Sequence, residues 1–388
     1  MHTAAIEAMQ AAIREEYLDG WLFCNFRHRD PLSDGILGIH PGFTNSRLWF
    51  YAVPASGEAL GIVHAVEPDG LGCLPGKRLS YRGREELLSR LAPLAGKRWG
   101  CHFSKSITAI SFLDAGTAAL LEEAGLKPVP AEGLLQRFRG LLDRAGIAAH
   151  ERAAAHLYEI VALAWAEIRR RFTSGAALYE GDIQRLIQEA FRRRDLVTDH
   201  PPIVAAGSNS GNPHYDPAGA GVLIAENDVV QLDIWARESG AGGVYADISW
   251  VGFYGKRPPP ALERTFANLV EAREGAFRFI AEALAAGRRP AGADVDRRAR
   301  EILSGFGYAE ALRHRTGHGI DSDLHGSGVN MDSVEFPDPR PLLDGSCFSL
   351  EPGIYFEDFG MRTEIDVYIK DGAPVISGKE RQFVLLCC

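Results

Sequence analysis

The sequence predicts an α+β protein of two domains, the larger of which contains a duplicated helix–helix–strand unit. Three observations lead to this prediction. The chain has 388 residues, which is enough for two or three domains. Its first part mixes helix and strand patterns, and from Leu141 onward two pairs of helical segments each precede strand-like segments. We therefore expect a smaller N-terminal α/β domain over residues 1–140 and a second domain over residues 141–388.

The composition describes an ordinary globular protein that binds neither nucleic acid nor membranes. Hydrophobic residues make up 46% of the chain, which is ample for buried cores. The formal net charge is −9 and the basic residues are scattered, which argues against nucleic acid or an anionic membrane as the main partner. The N-terminus lacks a basic region followed by an apolar run, and no uncharged stretch reaches the roughly 18 residues of a membrane span. We expect a soluble, non-exported protein with a small or peptide-like substrate.

The cysteines point to a reducing compartment. All six are widely separated or adjacent at the C-terminus, and none forms a C-x-x-C pair. This pattern indicates neither a disulfide framework nor a zinc knuckle. A cytoplasmic location is therefore expected.

The first 140 residues have the patterns of a supporting α/β domain. Amphipathic or apolar periodicity predicts helices for residues 4–17 and 110–124. Strand patterns cover residues 20–26, 47–53 and 59–64. Because this part contains no cluster of catalytic residue types, we expect the chemistry to lie in the second domain.

Two pairs of helices, each with one long and one short member, are predicted in the second domain. They cover residues 141–172 and 180–194, and then residues 262–286 and 294–303. The short helices open with the similar sequences D-I-Q-R and D-V-D-R, 112 residues apart (294 − 182). The repeat predicts an internal duplication with a ligand site between its halves.

Two aspartates are predicted to face each other across a β-hairpin. Strand patterns at residues 229–236 and 244–251 flank the turn sequence E-S-G-A-G-G. A hairpin symmetric about Gly240 makes Asp233 and Asp247 direct cross-strand partners, with Cβ atoms about 5 Å apart. Two carboxylates so placed repel each other unless a cation lies between them.

A second strand pair repeats this arrangement with glutamates. Strands are predicted for residues 347–355 and 361–369, and the segment between them has turn character. A turn centred in that segment makes Glu351 and Glu364 cross-strand neighbours. Two such pairs of acids are difficult to explain as ordinary solvated surface.

Histidines on a glycine-rich segment accompany the four carboxylates. His314, His318 and His325 lie between the two strand pairs. Four carboxylates and one imidazole suit two divalent cations such as manganese, cobalt or zinc, about 3.5–4 Å apart and bridged by carboxylate and by water or hydroxide. Calcium prefers more oxygen ligands and no imidazole.

Other enzyme classes fit these residues less well. His314 and His318 are spaced like helical zinc ligands, but the glutamate of H-E-x-x-H is absent and the glycines around His318 disfavour a helix. No G-x-S-x-G sequence occurs, and the glycine-rich segments lack the strand-to-helix context of a dinucleotide-binding loop. For His214, in a loop before the first aspartate strand, structural and functional roles are equally open.

Five short segments, in order along the chain, resemble the metallopeptidase family with the pita-bread fold. The segments are Leu232-Asp233, Tyr245-Ala-Asp247, Gly317-His318-Gly-Ile, Leu350-Glu351-Pro-Gly-Ile-Tyr and Gly360-Met-Arg-Thr-Glu364. The family includes methionine aminopeptidases, aminopeptidase P, the Xaa-Pro dipeptidase prolidase, and metal-free creatinase. The extra N-terminal domain is similar to that of the creatinase, prolidase and aminopeptidase P branch. The resemblance implies a pita-bread catalytic domain over residues 141–388, preceded in the chain by a creatinase-like domain over residues 1–140.

The resemblance also implies roles for individual residues. The implied metal ligands are Asp233, Asp247, His318, Glu351 and Glu364, with Asp247 and Glu364 as the bridging pair. The implied substrate-side residues are His214, His314, His325 and Arg362. The implied cofactors are two divalent metal ions, with manganese expected before zinc or cobalt.

The implied activity is hydrolysis of the Xaa-Pro bond of dipeptides through a metal-bridging hydroxide, in a homodimer. Glu351 would collect the proton and pass it to the leaving nitrogen, while His325 and His214 would hydrogen-bond the oxyanion and the substrate backbone. Two alternatives stay open. One is an Xaa-Pro aminopeptidase that acts on longer peptides, and the other is a metal-free binding module that keeps the fold.

The sequence departs from the family pattern around the expected substrate pocket. The connection between the two aspartates is longer than usual, Trp235 replaces a common glycine, Ser249-Trp250-Val251 replaces a Thr-Arg-Thr run, and Gly326 replaces a frequent acid. None of these departures removes a ligand. They bear on substrate length and on the preferred metal.

Overall fold

The computed structural model describes residues 3–40 and 42–388, which divide into two compact units. The first unit ends at Arg139 and the second comprises Gly140–Cys388. Met1 and His2, part of the N-terminal segment considered above, lie outside the described residues. Within the described ranges, no helix combines the length and the apolar character needed to cross a membrane.

The first unit is built on a six-stranded mixed sheet. Its strands are β1 (Gly20–Asn25), β2 (Trp49–Pro54), β3 (Leu60–His64), β4 (Lys77–Tyr81), β5 (Arg98–Cys101) and β6 (Lys127–Pro130). They lie in the order β4-β3-β2-β1-β5-β6, with β2 antiparallel to both of its neighbours and the other neighbours parallel. Its helices are α1 (Thr3–Glu15), α2 (Pro31–Leu37), α3 (Arg84–Leu91), α4 (Ala115–Glu123) and α5 (Glu132–Arg139).

The central strand β1 explains why this sheet is covered on both faces. Side chains alternate between the faces of a strand. Trp21 and Phe23 accordingly enter one apolar cluster, and Leu22 enters another. The helix predicted from residue 110 begins only at Ala115, because Asp114 caps it and its side chain accepts a hydrogen bond from Thr117 N.

The second unit combines four long or medium helices with short sheets. Its helices are α6 (Arg144–Ser174), α7 (Glu180–Arg193), α8 (Pro260–Ala285) and α9 (Gly292–Gly305). One sheet contains β7 (Leu196–Val197), β8 (Ile203–Ala206), β9 (Val229–Glu238), β10 (Ala246–Phe253) and, at the C-terminus, β16 (Leu386–Cys387). The other strands are β11 (Cys347–Leu350), β12 (Gly353–Tyr355), β13 (Gly360–Arg362), β14 (Ile365–Lys370) and β15 (Ala373–Ile376). Helices α6 and α7 share a core with β9 and β10, and α8 and α9 share one with β11 and β14.

The short helices confirm the predicted duplication. Helices α7 and α9 start and end at the same 112-residue offset that the sequence repeat shows. In each, an aspartate accepts a hydrogen bond from the backbone N–H just before the helix. Asp182 Oδ2 lies 3.0 Å from Tyr179 N, and Asp294 Oδ2 lies 2.9 Å from Ala291 N. The repeated D-x-x-R sequences therefore encode the same helix start twice.

The aspartate hairpin pairs two residues away from the predicted register. Asp247 lies opposite Trp235 and Ser249 lies opposite Asp233, so the prediction of direct cross-strand partners is wrong. The connection contains two glycines with positive φ and is centred one residue beyond Gly240. Because the side-chain period is two, the shift of two residues keeps both aspartates on the same face.

The glutamate strand pair has the predicted register, although each strand is divided. Strand β11 pairs with β14 and β12 pairs with β13 in the predicted alignment. Glu351 and Glu364 lie at the break between the two ladders. Pro352 accounts for the break, because proline has no N–H to contribute to a ladder.

Candidate metal centre

The five predicted ligands converge on one volume. They come from β9, β10, the segment after α9, the break between β11 and β12, and the break between β13 and β14. Asp233, Asp247, His318 and Glu364 are buried, and Glu351 is largely buried. His318 Nε2 lies 3.6 Å from Asp247 Oδ2 and 3.5 Å from Glu351 Oε1. One potential ligand atom from each of Asp247, His318 and Glu364 lies within 4.8 Å of the others. Sequence segments far apart in the chain thus form a single cluster.

Several acceptor atoms in this cluster lack a hydrogen-bond donor. Asp233 Oδ1, Asp247 Oδ1 and Glu364 Oε1 are buried and have no hydrogen-bond partner among the residues that the structure describes. His318 Nδ1 lies 3.3 Å from Gly319 O and therefore carries the ring proton, which leaves the Nε2 lone pair facing the carboxylates. Such acceptors repel one another, and cations among them would satisfy them all.

The pKa values reflect the same crowding. Burial, followed by the charge of Glu364, raises the pKa of Asp247 well above its usual range. Burial and the charge of Glu351 have the same effect on the pKa of Glu364. Burial raises the pKa of Glu351 to about 7 even though Arg362 acts to lower it. Burial lowers the pKa of His318, so its imidazole is neutral, as a metal ligand must be.

The donor set fits divalent transition-metal ions. Carboxylate oxygens with one imidazole nitrogen suit manganese, zinc and cobalt. The carboxylates that lack donors and the neutral histidine are thus the groups that such ions would bind. The residues present agree with the metal centre expected from the resemblance.

Arg362 is buried and bound to the protein through three of its N–H groups. Its Nη2 donates to Asp233 Oδ2, its Nη1 to the Tyr355 hydroxyl at 2.7 Å, and its Nε to Ser249 Oγ at 3.2 Å. Burial lowers the pKa of Arg362, but the charge of Asp233 outweighs it and the guanidinium remains charged. We infer that Arg362 orients Asp233; a direct contact with substrate stays a prediction. Ser249, where the family often has another residue, supplies the acceptor for Nε.

His314 is held at both ring nitrogens. Its Nδ1 donates to Arg315 O at 2.6 Å, so its Nε2 accepts from the Tyr355 hydroxyl at 2.7 Å. Burial and the charge of Arg362 lower the pKa of His314 to about 3, which keeps the ring neutral. Its contact with substrate stays a prediction, because it would require one of these two hydrogen bonds of the ring to break.

His325 and His214 are exposed, unlike the ligands. The ring of His325 lies 4.4 Å from that of His318, between centroids. His214 lies in the loop after β8, where its backbone N–H donates to Asn212 Oδ1 at 3.1 Å. The exposed imidazole of His325, beside the ligand His318, is therefore available to a substrate. The predicted contact of His214 with substrate stays a prediction.

A buried glutamate on α7 holds the loop that carries His214. Glu180 accepts hydrogen bonds from Ala206 N at 2.8 Å, Tyr215 Oη at 2.7 Å and Val222 N at 2.9 Å. These bonds reach both ends and the middle of the loop. His214 therefore lies on a loop whose conformation is stabilised by hydrogen bonds to Glu180.

A buried aspartate on the equivalent helix α9 holds the segment between His314 and His318. Asp296 Oδ1 accepts from Thr316 N at 2.9 Å and from Thr316 Oγ1 at 2.5 Å, and Oδ2 accepts from Ser333 N at 2.8 Å. In each half of the duplication, a buried acid on the short helix thus accepts hydrogen bonds from the segment that carries the predicted histidines.

Replacing Asp296 with alanine is expected to lower the free energy of unfolding by about 2–3 kcal/mol, because the donors of the buried Thr316 and the half-buried Ser333 lose their acceptor. Urea denaturation measures this change. The matched control is Glu301→Ala, on the exposed face of α9, for which a change within about 0.5 kcal/mol is expected. Equal effects of the two substitutions would contradict the role assigned to Asp296.

Sequence reasoning missed two residues that support the ligands. Asp366 is buried and its Oδ2 accepts from Asp247 N at 2.7 Å. Ser349 Oγ accepts from His318 N at 3.0 Å and donates to Glu351 Oε1 at 3.1 Å. Strand periodicity was an available signal for both, because each lies two residues from a glutamate of the cluster.

Two departures from the family pattern have structural explanations. A Cβ at Gly326 would lie 2.6 Å from Asp321 Cγ, which excludes any side chain there. Trp235 lies opposite Asp247 in the hairpin, and its indole N–H donates to Asp199 Oδ1 at 2.7 Å. Trp235 thus occupies the ligand-bearing face of β9, where glycine would leave space.

Comparison with known proteins agrees with this geometry. Residues 148–371 match the family described as Metallopeptidase family M24. An Xaa-Pro dipeptidase of Lactobacillus delbrueckii subsp. lactis is 29% identical over 221 residues, or 56% of this chain and 55% of that protein. A putative Xaa-Pro aminopeptidase of Mycoplasma pneumoniae is 30% identical over 176 residues, or 45% of this chain and 46% of the relative. The chain therefore spans about half the length of these relatives.

A solved structure extends the likeness to nearly the whole chain. The crystal structure of dipeptidase PepE from Mycobacterium ulcerans covers 99% of this chain and 97% of its own, with a TM-score of 0.72 and 22% sequence identity. At this identity the likeness establishes the fold, including the first unit, which the family match does not reach.

Proposed function

This chain belongs to metallopeptidase family M24 and has the pita-bread fold of the prolidase-like branch, and on that premise we propose that it is a metal-dependent Xaa-Pro dipeptidase. One observation carries the proposal. Four carboxylates and a neutral imidazole share a buried volume in which three carboxylate oxygens have no donor among the described residues. The Xaa-Pro dipeptidase and dipeptidase PepE described above support a small peptide as the substrate.

Asp233, Asp247, His318, Glu351 and Glu364 would hold two divalent cations, with Asp247 and Glu364 shared between them. When bound, such cations lower the pKa of water and polarise the scissile carbonyl, so that hydrolysis proceeds at neutral pH. Manganese is the ion we expect, with zinc or cobalt as alternatives. Arg362 and Asp366 would keep Asp233 and Asp247 in position.

Glu351 is the residue we assign to proton transfer. It would take the proton of the attacking water and deliver it to the leaving nitrogen. The Ser349 hydroxyl, which donates to Glu351 Oε1, limits the rotation of this carboxyl group. His325 and His214 would donate hydrogen bonds to the developing oxyanion and to the substrate backbone. A homodimer is expected from the resemblance to this branch.

The experiment that tests the proposal compares Ala-Pro with Ala-Pro-Ala in the presence of Mn²⁺. A dipeptidase is expected to show a kcat/KM for Ala-Pro at least roughly tenfold above that for the tripeptide, a difference of about 1.4 kcal/mol. Cleavage of the tripeptide alone would favour the Xaa-Pro aminopeptidase, an activity that the Mycoplasma relative's name carries. Failure to cleave either peptide, with no divalent ion retained after dialysis, would favour a metal-free binding module.

A further inference from the structure

Trp235 is the largest side chain of β9, and it lies on the face that carries the metal ligands. Side chains on one face of a strand recur every second residue, so Trp235 lies on the same side of the sheet as Asp233. Trp235 is also the direct cross-strand partner of Asp247, and partners of this kind have Cβ atoms about 5 Å apart. An indole therefore lies beside the carboxylate that we assign to both cations.

The indole of Trp235 is held in one position. Its N–H donates to Asp199 Oδ1 at 2.7 Å, and 8% of the residue is exposed. The ring belongs to an apolar cluster that includes the buried residues Tyr245 and Ile320. Rotation of the side chain away from a ligand would break the hydrogen bond to Asp199 and disturb this packing. The space that the indole occupies is therefore not readily available to a substrate.

Two further apolar residues of the same cluster lie next to residues of the site. Ile203, on β8, is the cross-strand partner of Asp233 and points to the same face of the sheet. Leu324 directly precedes His325 in the chain. Ile203, Leu324 and Trp235 are each 8% exposed, so none of the three is fully closed off from the surface. We call these three residues the apolar wall of the metal centre.

The chemistry of the proposed reaction brings one substrate side chain close to the apolar wall. In an Xaa-Pro dipeptide the scissile carbonyl belongs to the first residue, and its carbon is bonded to the Cα of that residue at about 1.52 Å. A carbonyl positioned for attack at the metal centre therefore places the first side chain near the ligands. The second residue of such a dipeptide is always proline, so the first residue is the one whose size varies between substrates.

We infer that Trp235 restricts the first residue of the dipeptide to small side chains, such as those of glycine, alanine and serine. The inference rests on the proposed dipeptidase function. The indole fills volume beside Asp247 that a larger side chain would need, and displacing it would cost the hydrogen bond to Asp199 and the packing of the cluster. Trp235 therefore determines which dipeptides are cleaved, and it takes no part in the proton transfer.

The test compares Ala-Pro with Phe-Pro, in the presence of Mn²⁺, in the wild-type protein and in Trp235→Ala. The wild-type protein is expected to have a kcat/KM for Ala-Pro roughly 10- to 100-fold above that for Phe-Pro. In Trp235→Ala the two values should differ by less than about threefold, because the benzyl group can occupy the space that the indole leaves. Trp235→Phe has a smaller ring that still fills much of the cluster, and it should reduce the wild-type ratio by at least about threefold.

The matched control is Trp250→Ala, which removes an indole from the opposite face of the same sheet. Trp250 is the partner of Leu232 and packs against the core that α6 shares with β9 and β10. Its loss should lower stability but change the ratio of the two kcat/KM values by less than about twofold. A purely structural role for Trp235 predicts the same behaviour for Trp235→Ala, namely equal losses on both dipeptides, and that result would overturn the inference. A wild-type protein that cleaves Phe-Pro as well as Ala-Pro would also overturn it.

A binding measurement tests the inference without turnover. The Mn²⁺-loaded protein is titrated calorimetrically with alanine and with phenylalanine, the first residues that the two dipeptides release. Tighter phenylalanine binding by Trp235→Ala than by the wild-type protein, with alanine binding unchanged, would support the inference, whereas equal phenylalanine binding by both proteins would contradict it. If Trp235→Ala does not fold, Trp235→Phe replaces it in both experiments. Absence of Ala-Pro and Ala-Pro-Ala hydrolysis by the wild-type protein would instead reject the proposed activity.

Discussion

Replacing Asp247 with alanine is expected to lower kcat/KM for Ala-Pro by at least about a thousandfold, because the two cations would lose a carboxylate that we propose they share. The fold should persist. Asp247 Oδ1 has no partner among the described residues, and the neighbouring acids repel this carboxylate. Removing it from the metal-free protein therefore relieves charge repulsion, which offsets the cavity left behind. Kinetics at saturating Mn²⁺ and thermal unfolding in a chelator measure the two effects.

The control for Asp247→Ala is Glu357→Ala, which removes an exposed acid in the turn after β12. It should keep both activity and stability. Glu364→Ala is expected to behave like Asp247→Ala, because we assign both residues to the bridge. Near-normal turnover in either ligand variant would mean that the bridging pair is misassigned. Loss of the folded state in the chelator would instead identify the carboxylate as part of the structural core.

The two strand pairs show what the sequence could predict about this site. In the glutamate pair the connection is short, so the position of the turn determines the register and the predicted alignment is correct. In the aspartate pair a longer connection with two bends moved the register by two residues. The prediction that Asp233 and Asp247 lie on one face of the sheet is still correct, because a shift by an even number of residues does not change the face. A shift of one residue would have pointed the two side chains in opposite directions.

Contacts between distant segments are the part that the sequence did not reveal. The pairing of Arg362 with Asp233 joins residues on β13 and β9, and no local pattern encodes it. The same holds for Asp296, which a helical pattern marks only as one polar residue among several on α9. The limits of the long helices of the second unit were predictable to within about three residues, because helix caps are local signals. Helix α6, predicted for residues 141–172, begins after the capping residue Asp143 and ends at Ser174, before Gly175 in the left-handed conformation.

The pairing of Arg362 with Asp233 leads to a second large effect. Replacing Arg362 with methionine is expected to destabilise the metal-free protein by about 3–5 kcal/mol, because a buried Asp233 is left without its positive partner. Mn²⁺ should recover part of this loss, because a cation bound by Asp233 would replace the missing charge. Binding to the folded state alone contributes about 2.7 kcal/mol when the ion is present at 100 times its Kd. Urea denaturation with Mn²⁺ and with a chelator measures both values.

The comparison between the two conditions is what tests Asp233 as a ligand. A matched control, Arg192→Met, removes an arginine from an exposed ion pair with Glu189 and should change the unfolding free energy by less than about 1 kcal/mol in either condition. If Mn²⁺ stabilises the wild-type protein but Arg362→Met is equally destabilised with and without it, Asp233 does not share its charge with the ion. The acid would then serve only to hold Arg362, and the metal centre would have to be built from Asp247, His318, Glu351 and Glu364 alone.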